Sequence, residues 1–388
     1  MYVMKKHIVI VSNLFPNSDE PNRGIFIKQL TVQLLDRFNI TVVCPVPWRP
    51  RWLQNLLGKE PLPFTCHIDG IKVYYVPHLI IPKILRFTYG WLMYKALMPV
   101  LKLINESSSI DLISAHWVYP DGYGAVKAAA KLSVPVTVHA LGCDVNEYTK
   151  QISRRFLISK AFKNCDQVIV KSLDLEKKVL NLGCQAGQVK TILNGVDKNK
   201  FFPVEMNIAR EKLNLDINKD YLLFVGNIQQ EKGLVYLIDA LKIARDFNGK
   251  LLIVGKGPQE MAMRRRVKEH CIVDRVEFIG TVPHHEVPLY LSAVNALCLP
   301  SLREGCPNIV LESLSCGTPV LASSVGAVPQ IITQQSFGMM VPPESAGEIA
   351  AAIPKIVKIK AVSSIQFEWH SWQENADQVS EVFDGLLN

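Results

Sequence analysis

No Cys-x-x-Cys pair occurs among the nine cysteines of this 388-residue sequence, which excludes the common zinc and dithiol redox motifs. No Asp-x-Asp triplet is present either, so chemistry in which a metal holds a diphosphate is not expected. Apolar runs of bilayer length are also missing. The longest candidate, HLIIPKILRFTYGWLMYKALMPVLKLI at residues 78 to 104, is interrupted by Lys83, Arg86, Lys95 and Lys102. It reads either as an interfacial amphipathic helix pair or as ordinary domain helices with solvated lysines. There is no short repeat and no low-complexity tract, and 48% hydrophobic with 20% charged residues is a globular balance, not a disordered one. The start, MYVMKKHIVIVSNLF, has lysines before an apolar run, but it gives way to polar PNSDEPNRG without a small-residue cleavage site. It is read as a first strand, not a signal peptide, and the scattered cysteines as reduced thiols of a cytoplasmic protein.

Charge is unevenly distributed. Residues 1–200 carry 26 Lys plus Arg against 14 Asp plus Glu, whereas residues 201–388 carry 17 against 21. The basic half calls for an anionic partner: nucleic acid, an anionic membrane surface or a phosphorylated acceptor.

Length predicts two domains of roughly 150 to 200 residues. Short β-branched runs at HIVIVSN, ITVVCP, KVYYVP, DLISAHW, PVTVHA, QVIVKS and VKTILNG alternate with helix-length segments. The alternation resumes at YLLFVGN, LLIVGKG, VEFIG, ALCLPS, PVLASS and GMMVPP. Continuous apolar strands separated by helices imply parallel sheets covered on both faces. The expectation is an α/β fold of two doubly wound Rossmann-like domains, 1–200 and 201–366, facing across a cleft. Residues 367–388 are read as a terminal helix packing back on the first domain.

In such sheets ligands sit at the carboxyl ends of strands. VGKGPQE supplies only half of a dinucleotide fingerprint, with Glu260 where a third glycine belongs. VGNIQQEKG places Asn227 and Lys232 after a strand, where the lysine can hold a phosphate or simply be solvated. LREGCP follows another strand and puts Glu304 in a loop; Asn308 is read as the N-cap of the next helix, with Glu312 about one turn in. Amides at Asn308, Ile309 and Val310 would suit a diphosphate. A glycosidase pair needs carboxyls roughly 5 to 9.5 Å apart, and eight helical residues span about 12 Å. Two different hydroxyl-bearing groups are therefore the more natural ligands, a ribose and a sugar.

With these motifs in order, EGCPNIVLESLSCGTPV, LNGVD, FVGNIQQEKG, LLIVGKGP, VEFIGTVP and ALCLPS, the chain resembles the retaining glycosyltransferases of family 4, which have the GT-B fold. SAHWVYPDGYGAVKAA and VHALGCDVN resemble most the bacterial cell-surface polysaccharide branch of teichuronic-acid type. The resemblance implies that Glu312 binds the ribose and Glu304 the transferred sugar. Gly305, Cys306, Asn308, Ile309 and Val310 would offer amides to sugar and diphosphate. Lys232 would neutralise the leaving diphosphate, Asn227 would lie beside it, and the backbone at Val282 would hold the base. In the first domain Gly24 would approach the phosphates, His139 would serve the reaction centre, and His116 and Asp144 would face the acceptor.

Two residues depart from the pattern: Asn227 stands where the family usually has arginine, and Pro307 removes an amide donor. Arg303 or a basic residue of the first domain could supply the missing charge. The implied activity is metal-free, cofactor-free, front-face sugar transfer from a nucleotide sugar, UDP-linked by preference, to a saccharide or lipid-linked saccharide at the inner face of the cytoplasmic membrane. An anionic membrane is an expected peripheral partner and nucleic acid is not. A catalytically silent partner subunit, a nucleotide-sugar epimerase or hydrolase, and an NAD-dependent dehydrogenase are the alternatives.

Overall fold

A computed structural model describes residues 5–21, 23–50, 52, 60–80, 85–359 and 367–388. The chain divides into two compact units, Met1–Asn194 with Trp372–Asn388, and Gly195–Ser371. The division falls inside the LNGVD motif, not after Lys200. Val196 bridges to Ser371, and its N–H donates to the His370 carbonyl at 3.1 Å, which ties this stretch to the second unit.

The first unit contains strands β1 (His7–Val11), β2 (Asn39–Pro47), β3 (Thr65–Ile68), β4 (Ile71–His78), β5 (Leu112–His116), β6 (Val136–Ala140), β7 (Gln167–Val170) and β8 (Val189–Thr191). They form one sheet in the order β3-β4-β2-β1-β5-β6-β7-β8. Successive strand residues feed opposite faces: Val9, Val11 and Val43 join one core, while Ile8, Ile10, Val42 and Cys44 join the other. Burial on both faces explains the unbroken apolar runs. The sheet is not wholly parallel as expected, because β3 pairs antiparallel with β4 at one edge. That strand is half exposed, so its sequence, TCHI, carries little apolar signal.

On one face the helix Tyr89–Ser107 buries Met93, Leu97, Leu101 and Ile104, one stripe at helical spacing, beside the helix Tyr123–Leu132. Residues 78–104 are thus largely a domain helix, with 81–84 outside the described residues. On the other face the helix Ile25–Leu34 packs with the terminal helix Trp372–Leu387, where Phe38 meets Phe383 edge to face at 5.8 Å. Among the described residues no helix is long and apolar enough to cross a membrane.

The second unit contains β9 (Tyr221–Val225), β10 (Lys250–Val254), β11 (Val276–Gly280), β12 (Ala296–Leu299), β13 (Val320–Ser323) and β14 (Gly338–Val341). Their order is β11-β10-β9-β12-β13-β14, parallel throughout. The order reverses between β9 and β12. The loops that leave the carboxyl ends of strands flanking such a reversal are where parallel sheets of this kind bind ligands.

Candidate active site

The β9 and β12 loops carry Lys232 and Glu304, and the second unit brings them together. Lys232 Nζ lies 2.7 Å from Glu304 Oε1, and Ser301 Oγ donates to the same oxygen at 2.7 Å. Glu304 Oε2 keeps no protein partner among the described residues. A carboxylate clamped through one oxygen and open at the other is fixed in orientation yet able to accept a hydroxyl. The loops are locked by Leu302 N–H donating to the Glu231 carbonyl at 2.8 Å. Gly233 follows Lys232 at φ 63°, and a Cβ there would lie 2.0 Å from the Pro300 carbonyl oxygen. Only glycine permits this approach of the two loops.

Glu312 stands on the helix Asn308–Ser315. Its side chain is 13% exposed, and Oε1 lies 3.4 Å from His284 Nε2, whose ring packs edge to face on Phe201. His284 follows the half-buried Val282 by two residues, so the segment after β11 and the Glu312 helix converge. Asn308 is not the N-cap: Pro307 occupies that position and Asn308 is the first helical residue. Val310 N–H is also not free, because it donates to the Pro307 carbonyl at 3.0 Å in a tight first turn. Gly305 is buried, with its carbonyl accepting from Ala327 N–H at 2.8 Å; Cys306 and Ile309 are half-buried. Asn227 is exposed, and its carbonyl accepts from Gln229 N–H at 2.9 Å. Arg303 approaches Glu231 at 3.9 Å.

In the first unit His116 and His139 are both buried and stack with ring centroids 3.8 Å apart. Ser114 Oγ lies 3.1 Å from His139 Nε2 and 3.4 Å from His116 Nε2. Burial pulls the His116 pKa down to about 3, helped by the buried Lys171. Burial and the neighbouring His116 hold His139 well below its ordinary value, so both rings are neutral at pH 7. His139 Nδ1 is buried without a hydrogen-bond partner. Asp144 is buried too and accepts amide hydrogens from Val118, Gly142 and Val145 at 2.9, 2.8 and 3.1 Å, tying the loops after β5 and β6 together. Burial raises its pKa against the pull of those amides. Gly24 caps the helix Ile25–Leu34 at φ 59°, where a Cβ would sit 1.8 Å from the Leu14 carbonyl oxygen. Among the described residues no group of three or more His, Cys, Asp or Glu could hold a metal ion.

Two family models match, Glycosyltransferase Family 4 over residues 24–200 and Glycosyl transferases group 1 over residues 205–378. The chain is a glycosyltransferase built of a family 4 domain and a group 1 domain. It is 28% identical over 361 residues to the teichuronic acid biosynthesis glycosyltransferase TuaC of Bacillus subtilis, covering 90% of this chain and 88% of that one. Sucrose-phosphate synthase from Thermosynechococcus elongatus superposes with a TM-score of 0.81 at 24% identity, covering 98% and 99% of the two chains. HepE of Anabaena, solved in complex with UDP-glucose, gives 0.75 at 18% identity over 98% and 100%. The two Rossmann-like units therefore constitute a GT-B glycosyltransferase.

Sequence patterns alone do not single out several polar groups that this glycosyltransferase places around its candidate residues. Ser301 and His284 orient the two glutamates, and their only signal is position: the end of a strand run and the VPHHE stretch. Asp121, inside YPDGYG, is fully buried and accepts from Asn13 N and Nδ2 at 2.7 and 3.1 Å. Desolvation raises its pKa to about 7.

Proposed function

We propose that this glycosyltransferase moves a sugar from a nucleotide sugar, UDP-linked, to a saccharide acceptor carried on a lipid, with retention at the anomeric carbon, in cell-surface polysaccharide synthesis. The observation that carries the reading is the Lys232–Glu304–Ser301 constellation at the β9/β12 switch point, with Glu312 on the adjoining helix. Glu304 Oε2 accepts a hydroxyl of the transferred sugar, and the Glu312 carboxylate accepts the ribose hydroxyls. An ammonium has three donors, so Lys232 can hold Glu304 and still neutralise the leaving diphosphate. The bond from anomeric carbon to phosphate oxygen breaks, the acceptor oxygen bonds the same face of that carbon, and its proton passes to the departing phosphate oxygen. No metal is assigned a part: the cation and backbone amides supply the electrostatics. HepE, solved in complex with UDP-glucose, and TuaC, by name a teichuronic acid biosynthesis enzyme, support the donor class and the polymer setting.

The experiment is acceptor-dependent release of nucleoside diphosphate, followed by proton NMR of the product linkage. Retained configuration is expected, and Glu304→Gln should slow turnover by about two orders of magnitude. An inverted product, or equal release without acceptor, would overturn the reading.

A further inference from the structure

Arg154 is one of the few buried charged groups in the first unit. It lies on the helix Ile152–Lys163 with only 6% of its surface exposed. Its Nε is buried without a hydrogen-bond partner, and among the described residues no carboxylate pairs with the guanidinium. The guanidinium carbon lies 4.5 Å from the centroid of the Tyr148 ring. A cation–π contact only partly offsets the cost of holding a guanidinium away from water without a carboxylate partner. Burial pulls its pKa down, and the nearby Arg86 adds to that pull.

The guanidinium lines a cavity of about 160 Å³ together with Arg23, Tyr89, Tyr119 and Tyr148. The cavity gathers residues at or just after the carboxyl ends of β1, β2, β4, β5 and β6, where the strand order reverses between β1 and β5, and no carboxylate lines it. Arg23 stands on another wall, and its own ion pair with Glu20 at 2.6 Å is solvent-exposed and therefore weak. A second cavity of about 360 Å³ adjoins through Asn13, Arg23, Pro45 and Pro47; it includes the exposed Trp48 and carries the carboxylates Asp19, Glu20 and Glu60, so the anion is assigned to the smaller cavity. Cationic walls with three tyrosines suit an oxyanion attached to a sugar ring.

We propose that this cavity is a binding site for an anionic sugar, with Arg154 and Arg23 holding its phosphate or carboxylate and the tyrosines holding its ring. Assigning that ligand to the acceptor rests on the transferase reading above; the affinity for the anion does not. Arg154 is thus charged and buried because its partner arrives with the ligand. A purely structural arginine would instead be paired within the protein.

The test titrates wild type, Arg154→Met and Arg23→Ala with glucose 1-phosphate, glucuronate and glucose by calorimetry, with UDP titrated into each protein as a separate control of the donor reading. Wild type should bind one anionic sugar at least tenfold more tightly than glucose; the better of the two identifies phosphate or carboxylate. Both variants should lose that preference while their UDP affinity stays within twofold of wild type. Arg154→Met should also unfold at or above the wild-type temperature, since removing an unpaired buried charge relieves the protein. Equal binding of charged and neutral sugars by wild type would overturn the proposal. So would an Arg154→Met variant that unfolds at a lower temperature together with an Arg23→Ala variant that keeps the preference.

Discussion

At the scale of single residues, the first unit holds buried titratable groups whose pH effects oppose one another. Asp121, at about 7 in the fold against an ordinary 3.8, binds more protons folded than unfolded, so its contribution to stability falls as pH rises from about 4 to 7. His116, near 3 in the fold, binds fewer protons folded than unfolded, so its contribution rises with pH between about 3 and 6.5 and is complete above that. His139 shifts in the same direction. Replacing Asp121 by Asn removes the first effect only. Urea titrations at pH 5 and pH 7 should show the variant gaining about 2 kcal/mol relative to wild type at the higher pH. A pH-independent difference would mean that Asp121 is not the group being titrated. The two glutamates stood out in the sequence as charges in an otherwise apolar run, although their protein partners Lys232, Ser301 and His284 did not follow from that pattern. Arg154 did not stand out: SRRF reads as a solvated helix face, and the burial of one of its arginines depends on Tyr148, Tyr89 and Tyr119, which other segments supply.

At the scale of elements, loops gain their precision from strand ends held in register. Gly233→Ala would force a positive φ on alanine and drive its Cβ against the Pro300 carbonyl, separating the two loops that join Lys232 to Glu304. Loss of about 2 kcal/mol or more in stability is expected, alongside reduced turnover. Chemical denaturation measures the first and initial rates the second; an alanine variant with wild-type stability would show that the loops do not depend on this approach. Element order was readable wherever strands are buried on both faces, as in β9 and β10, whose residues are almost all inaccessible. The half-exposed β3 escaped because an edge strand needs no continuous apolar run, and the tight turn at Pro307 escaped because Asn308 is by type the preferred capping residue, whereas Pro307 caps without a side-chain hydrogen bond.

At the scale of the whole molecule, each unit has its own core, but the chain returns to the first unit to complete it. Trp372, Ala376, Val379 and Phe383 belong to the same buried cluster as Ile8, Ile27 and Leu34. Removing Trp372–Asn388 should therefore expose the first unit selectively. Hydrogen exchange should show protection lost in residues 7–44 and kept in β9 and β12, and uniform loss across both units would contradict this division.

The proposed function requires that the second unit bind a nucleotide sugar through Glu312 and Lys232. The most direct measurement is calorimetric titration of UDP-, GDP- and ADP-sugars into wild type and Glu312→Ala. Micromolar binding of the UDP sugars is expected, weakened at least tenfold in the variant while the fold is kept. Failure of every nucleotide sugar to bind the folded wild-type protein, or equal binding by the variant, would contradict it.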